Sequence, residues 1–321
     1  MNQLSIVMCT RNRSHLLCAL FDCFDHEVFL PPDFDVEMII VDNNSTDTTR
    51  NIVQDYISQK RSYALRYVFE GKNGLSYARN RGIDEAKFER IGFLDDDILP
   101  DPAYFKALRN AFAENANITC FAHKVITHPL NKPDWYHLEG KNGMLRRGMY
   151  DLGNISRLLT SNDKIPIGSG MVISKSLFVS LGRFNTNFGY DFSKSIMIPG
   201  EESEFFFKIK SRNVPIYYIA DAVIHHYPGK EKYDIDTLCK TYKGTGYWYG
   251  SADARNLRNK NIIIWAGYPR SYYKRLIRTG FNFVFSRFSF SKTVRYYHRF
   301  EWERTKGYFK GYSDFRKKKD L

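Results

Sequence analysis

Three consecutive carboxylates, Asp95, Asp96 and Asp97, stand between the apolar run RIGFL and the segment ILPDP. Two unit charges about 4 Å apart repel by roughly 1 kcal/mol in water and about 4 kcal/mol at an effective dielectric of 20, so such a cluster calls for a cation. Oxygen ligands of this kind suit hard divalent ions such as Mg²⁺ or Mn²⁺, which fill their remaining positions with water and phosphate oxygens. Strand alternation carried through the triplet would send Asp95 and Asp97 to one side and Asp96 to the other. The alternative is a solvated acidic turn capping the helix that begins near Pro102. A second acidic group, Glu201, Glu202 and Glu204, lies in PGEESEFFFKI. Carboxylates there can accept a proton from an attacking hydroxyl, or simply favour a helix N-terminus through its dipole. His225 and His226 close the strand-like run IYYIADAVIHHY, where neighbours face opposite ways, so at most one enters a site. Asp42, ahead of NNSTD, can accept from ribose hydroxyls or a pyrimidine N–H, or close an Asx turn.

Elements that position these residues alternate along the first half. Apolar, β-rich runs at 4–10, 36–43, 65–70, 90–96 and 118–126 are separated by the helical stretches SHLLCALFDCF, STDTTRNIVQDYISQ, SYARNRGIDEA and DPAYFKALRNAFAEN. Near-continuous hydrophobic strands between helices predict an α/β fold with a mostly parallel sheet covered on both faces. Ligands of such sheets bind beyond the carboxyl ends of the strands, where Thr10 to Arg13, Asp42 to Asn44 and Asp95 to Asp97 all fall. The stretch from Pro129 to Leu159 reads as a long loop able to cover a bound ligand. The small residues of IGSGM, 167–171, can let a ligand approach the backbone, or form an ordinary turn.

The chain has 321 residues, 43% of them hydrophobic, ample for a core and against disorder. Five cysteines without a CxxC pair exclude a disulfide framework and point to a reducing compartment. MNQLSIVMCTRNR lacks the pattern of a signal peptide, and no apolar run approaches the roughly 18–20 residues of a bilayer span, so a cytoplasmic location is expected. The net charge of +13 is unevenly spread: residues 230–321 hold 22 Lys+Arg against 8 Asp+Glu, and 22 of the 51 aromatics. A boundary near Gly229 follows, with a mainly helical, basic and aromatic extension over 230–321. Within it, Ser271 to Tyr312 has the spacing of basic amphipathic helices able to lie on an anionic membrane surface; packing back onto the first domain is the alternative.

Six ordered motifs, SIVMCTRNR, IIVDNNSTDTT, NGLSYARNRGI, FLDDDI, GSGMVISKSLFVSLGRFN and GEESEFFFKIKSRNVPIYYIADAVIHHYP, resemble the inverting family 2 glycosyltransferases of the GT-A fold, including bacterial polysaccharide-biosynthesis members. The resemblance covers roughly residues 3–228 and implies a Rossmann-like domain over 1–229, with a donor half to about 127 and an acceptor half from about 128. It implies that Thr10 and Arg11 border the nucleotide base, that Asp42 contacts base or ribose, and that Arg79 helps to hold the donor. Asp95 and Asp97 correspond to the DxD motif, with Asp97 the direct ligand of Mn²⁺ or Mg²⁺, Asp96 on the donor side, and His225 near metal and diphosphate. Glu202 stands where the family's catalytic Asp is usual, and Glu201 or Glu204 can contribute. The expected donor is a UDP-sugar and the acceptor a glycan or lipid-linked saccharide, with the protein peripheral on the cytoplasmic face of a bacterial inner membrane. Two other functions compete: nucleic-acid binding through the basic tail, which leaves both acidic clusters unexplained and is not expected, and sugar-nucleotide binding without catalysis.

Overall fold

The computed structural model describes residues 2–59, 63–129, 132–137, 149–189, 197–256 and 264–317. Within the long stretch from 129 to 159, residues 130–131 and 138–148 lie outside the described residues. The chain forms two compact units, one of Met1–Leu130, Arg147–Asn187 and Glu201–Pro228, the other of Asn131–Arg146, Phe188–Gly200 and Gly229–Leu321.

The first unit is built on a sheet that begins with β1 (Gln3–Thr10), β2 (Asp35–Asp42), β3 (Ala64–Phe69) and β4 (Arg90–Asp95). It continues with β5 (Ile98–Pro100), β6 (Cys120–Thr127), β7 (Arg157–Leu158), β8 (Met171–Ser174) and β9 (Ile216–His226). The order is β3-β2-β1-β4-β8-β6-β9-β5, with β7 also on β9. β1, β2, β3 and β4 run parallel, as do β6 and β9, whereas β8 is inserted antiparallel to both β4 and β6. Helices α1 (Ser14–His26), α2 (Thr49–Ile57), α3 (Leu75–Glu85), α4 (Tyr104–Glu114), α5 (Lys175–Leu181) and α6 (Glu201–Ser211) flank it. β2 is buried from Val36 to Asp42, the signature of a strand covered on both faces. α1 turns Leu17, Leu20, Phe21 and Phe24 to the core at helical spacing, each such side chain contributing roughly 1.5–3 kcal/mol. α3 comes so close to β1 that a Cβ on Gly82 would lie 2.2 Å from Val7 Cγ1.

The second unit contains α7 (Ile235–Asn256), a hairpin of β10 (Ile264–Trp265) and β11 (Tyr268–Pro269), α8 (Arg270–Ser286) and α9 (Lys292–Lys317). α7 and α9 touch backbone to backbone. A Cβ on Gly246 would lie 1.9 Å from Arg304 O, and one on Gly307 1.8 Å from Lys243 O. Tyr136, Tyr233, Leu238, Tyr242 and Phe300 form one small core and Ala254, Tyr308 and Tyr312 another. The aromatics of α9 are therefore largely packed within their own unit. α8 differs, as shown below.

Candidate active site

β1 lies between β2 and β4, so the sheet's direction of growth reverses beside it and its carboxyl end opens the crevice where such sheets take ligands. Register pairs Thr10 with Asp42 and Cys9 with Asp95, which puts the predicted donor-side residues on one rim.

β4 ends at Asp95, and Asp96 and Asp97 form a turn before β5. Strand alternation stops there, and the expected grouping of Asp95 with Asp97 is replaced by another. Arg13 Nη1 donates to Asp96 Oδ1 at 2.6 Å and to Asp97 Oδ2 at 3.3 Å, while Thr10 Oγ1 donates to Asp96 Oδ2 at 2.8 Å. Burial, and then the Asp97 charge, push the Asp96 carboxyl up; Arg13 pulls it back. Asp95 instead lies 3.5 Å from Arg79 Nη2. Arg13, at Asp96 and Asp97, and Arg79, at Asp95, are the cations that the triplet required; of the two, Arg13 carries no role in the sequence motifs, which point to Arg11. The chain leaves β1 through Asn12 in the left-handed region, φ 52°, which brings residue 13 back to the acidic turn. Arg11 is half-buried, and its buried Nη1 has no hydrogen-bond partner among the described residues.

β5 pairs antiparallel with β9, Ile98 opposite His226, and Tyr227 N donates to Asp97 O at 2.9 Å. His226, rather than the expected His225, therefore faces the turn, with Nε2 3.4 Å from Asp97 Oδ1. His225 points the other way, its Nδ1 2.9 Å from His128 Nε2 and its Nε2 3.9 Å from Asp101. No group of three or more His, Cys, Asp or Glu arranged for a metal occurs among the described residues. The buried Asp97–His226 pair offers one carboxylate oxygen and one imidazole nitrogen, a donor set that suits a divalent cation such as Mn²⁺ better than Mg²⁺, which prefers oxygen alone.

Arg79 sits at the centre of the second constellation. Its Nη1 donates to Glu201 Oε1 at 2.7 Å and lies 3.9 Å from Glu202 Oε2. Burial works against its charge, but Glu201, Asp95 and Glu202 together more than reverse that effect, so it stays a cation. Gly168 makes room for it, since a Cβ there would be 2.5 Å from Arg79 Nη2. With side chains 4% and 2% exposed, Arg79 and Glu201 are a buried ion pair, whereas Glu202 remains 23% exposed. Burial, and then the Glu201 charge, raise the Glu202 carboxyl to about 8, Arg79 opposing them. Cys9, beside the cluster, is pushed up to about 12, chiefly by burial, so its thiol is no nucleophile near neutrality.

Asp42 is buried and its carboxylate is engaged twice, by Ser45 N at 2.9 Å and by Tyr67 Oη at 2.7 Å. The bond from Ser45 N, three residues on, ties the start of NNSTD to the end of β2. Glu204 pairs with Lys208 at 3.0 Å, a helical i,i+4 partner. His123 lies behind Gly168–Gly170, its Nε2 3.3 Å from Ser169 O, and burial lowers it to about 3.

A mixed α/β sheet that opens beside its central parallel strand and carries carboxylates at two strand ends and a helix start is the frame of the GT-A transferases. The chain belongs to glycosyl transferase family 2, whose model, "Glycosyl transferase family 2", matches residues 5–182. It is 35% identical over 112 residues to validoxylamine A glucosyltransferase of Streptomyces hygroscopicus subsp. limoneus, covering 34% of this chain and 24% of that protein. It is 34% identical over 99 residues to GalNAc(5)-diNAcBac-PP-undecaprenol beta-1,3-glucosyltransferase of Campylobacter jejuni, covering 30% of each. The chain thus spans less than a third of the length of these curated relatives. Among solved structures, S. aureus TarS 1-349 in complex with UDP-GlcNAc superposes with a TM-score of 0.58 at 14% identity, over 98% of this chain and 92% of that one, a likeness of fold.

Proposed function

We propose that this protein transfers a sugar, with inversion, from a nucleoside-diphosphate donor to a hydroxyl of a glycan or lipid-linked saccharide. The observation that carries the reading is Glu202, a partly exposed carboxyl of raised pKa in the position of the family's base, held beside the donor-side rim by Arg79. Ionised Glu202 accepts the acceptor's hydroxyl proton, the freed oxygen bonds to the anomeric carbon, and the bond to the diphosphate oxygen breaks with its electron pair going to the diphosphate. A divalent cation supplies positive charge for that leaving group when bound. Asp97 and His226 would hold it, and Arg13 orients the Asp96–Asp97 turn from behind. Arg11 meets the nucleotide base with its Nη1, which has no hydrogen-bond partner among the described residues, and Asp42 acts through the NNSTD turn it ties to β2. Glu201 and Arg79 are positioning residues: their buried pair fixes the start of α6 and links it to Asp95.

UDP is the expected nucleotide, in keeping with the fold neighbour that holds UDP-GlcNAc, and the undecaprenol-linked acceptor named for one relative supports the lipid-linked class. Calorimetric titration of UDP-, GDP- and dTDP-sugars with and without Mn²⁺ tests the reading. A UDP-sugar that binds at least about tenfold more tightly with Mn²⁺, about 1.4 kcal/mol, is expected. Binding indifferent to Mn²⁺, or none to any sugar nucleotide, would overturn it.

A further inference from the structure

α8 is inside out. It buries Thr279 and Ser286, 8% and 6% exposed, and lays Gly280 and Phe283 against Trp302 of α9. Its outward stripe is apolar: Ile277, Phe281, Val284, Phe285, Phe288 and, beyond the helix, Phe290, from 51% exposed to fully so. The spacing, i, i+4, i+7, i+8 and i+11, makes one continuous face, on which the Phe281 and Phe285 rings lie 4.0 Å apart. A solvated helix of a soluble protein places these residue types the other way round, so the face is built for an apolar medium.

Charge identifies the medium. Between Asp253 and Glu301 the chain contains no acidic residue and eleven Lys or Arg. Arg270, Lys274 and Arg278 are exposed along the first half of the same stripe, and Arg287 and Lys292 at its far end. At the start of α8 the exposed Trp265 of the β10–β11 hairpin has the Arg270 guanidinium 5.3 Å over its ring, the pairing of an amphipathic ring and a cation suited to a headgroup layer. A second copy docked by the same face would bring this acid-free strip against its own like charges. No helix among the described residues is long and apolar enough to cross a membrane, and an apolar stripe on one face of a helix is the form suited to a bilayer surface.

We infer that α8 and the turn after it, from Arg270 to Phe290, form a docking surface for an anionic lipid bilayer, with the phenylalanine stripe in the acyl boundary and the flanking Arg and Lys among anionic headgroups. This stands on the geometry of the second unit and does not depend on sugar transfer. The test is sedimentation of the full chain with vesicles of phosphatidylcholine alone or mixed with phosphatidylglycerol, at low and high salt. Alongside the wild type go two variants, Phe281→Asp/Phe285→Asp/Phe288→Asp and Arg270→Glu/Lys274→Glu/Arg278→Glu. Because all six side chains are exposed, thermal melting of both variants should match the wild type. The expected result is at least about tenfold stronger partition of wild type onto the phosphatidylglycerol vesicles. The apolar variant should lose partition on all vesicles, and the charge variant should lose the preference for anionic lipid. Wild type that ignores both vesicle types, variants that bind as well as wild type, or an apolar variant altered only in oligomeric state would each overturn the assignment.

Discussion

Arg13 and Arg79 divide the three aspartates between them, and that division sets what each carboxylate can do. Asp96 is consumed by Thr10 and Arg13, which leaves Asp97, beside His226, as the proposed metal ligand. Asp97→Ala is therefore expected to remove the Mn²⁺ dependence of donor binding, costing about tenfold or more in affinity with the metal present, as calorimetry would read. Arg79→Met should be a stability variant first. It strands Glu201 without its buried counter-ion, and breaking such a pair from one side costs roughly 3–5 kcal/mol, measurable by denaturant unfolding. The raised Glu202 carboxyl fixes the sign of the pH dependence. In the proposed transfer its ionised form accepts the proton, so transfer should fall about tenfold per unit as pH drops below about 8. The same shift makes the folded state hold a proton that the unfolded chain releases near 4.5, so this group's contribution to stability declines as pH rises from there towards 8. A flat profile between pH 6 and 9, limits set around that value, would remove Glu202 from the base position. The acidic clusters were legible in the sequence because residue type alone carries their chemistry. Arg13 was not, because it owes its direction to the left-handed Asn12, and which of His225 and His226 meets the turn depended on the long-range register of β5 on β9.

At the scale of elements, β1 to β4 and α1 to α4 followed from apolar runs and helical spacing, since each buries a continuous face. β8 did not. GMVIS reads as a short apolar run, and its antiparallel insertion between β4 and β6 is a matter of long-range pairing that periodicity does not encode. The α7–α9 contact was equally hidden, because it is made by what glycines lack. Gly307→Ala gains roughly 1 kcal/mol of helix propensity, yet the new methyl meets Lys243 O, a backbone atom that cannot rotate away. Overpacking at about 1–3 kcal/mol should win, and the variant should unfold at lower denaturant than wild type. A stabilised Gly307→Ala protein would mean that the helices have room to separate.

For the whole molecule, composition suggests a boundary near Gly229, whereas the second unit comprises 131–146 and 188–200 as well as the chain from Gly229. Tyr136 shows why that matters: it is buried in the small core of the second unit, its ring 5.0 Å from Tyr233. A chain ending at Pro228 would leave Tyr136 and its neighbour Trp135 without that core, and is expected to aggregate or melt without a sharp transition, as light scattering and calorimetry would show. A monodisperse, cooperatively melting truncation would mean that the two inserted segments need no partner. The proposed transfer requires a donor rim able to take a metal and, apart from it, a base. Its most direct test is donor turnover by Glu202→Gln with Mn²⁺ and a UDP-sugar, followed as UDP release with acceptor present. The prediction is a loss of about 10²–10⁴-fold in transfer with UDP affinity unchanged; undiminished turnover, or equal loss of turnover and UDP affinity, would contradict it.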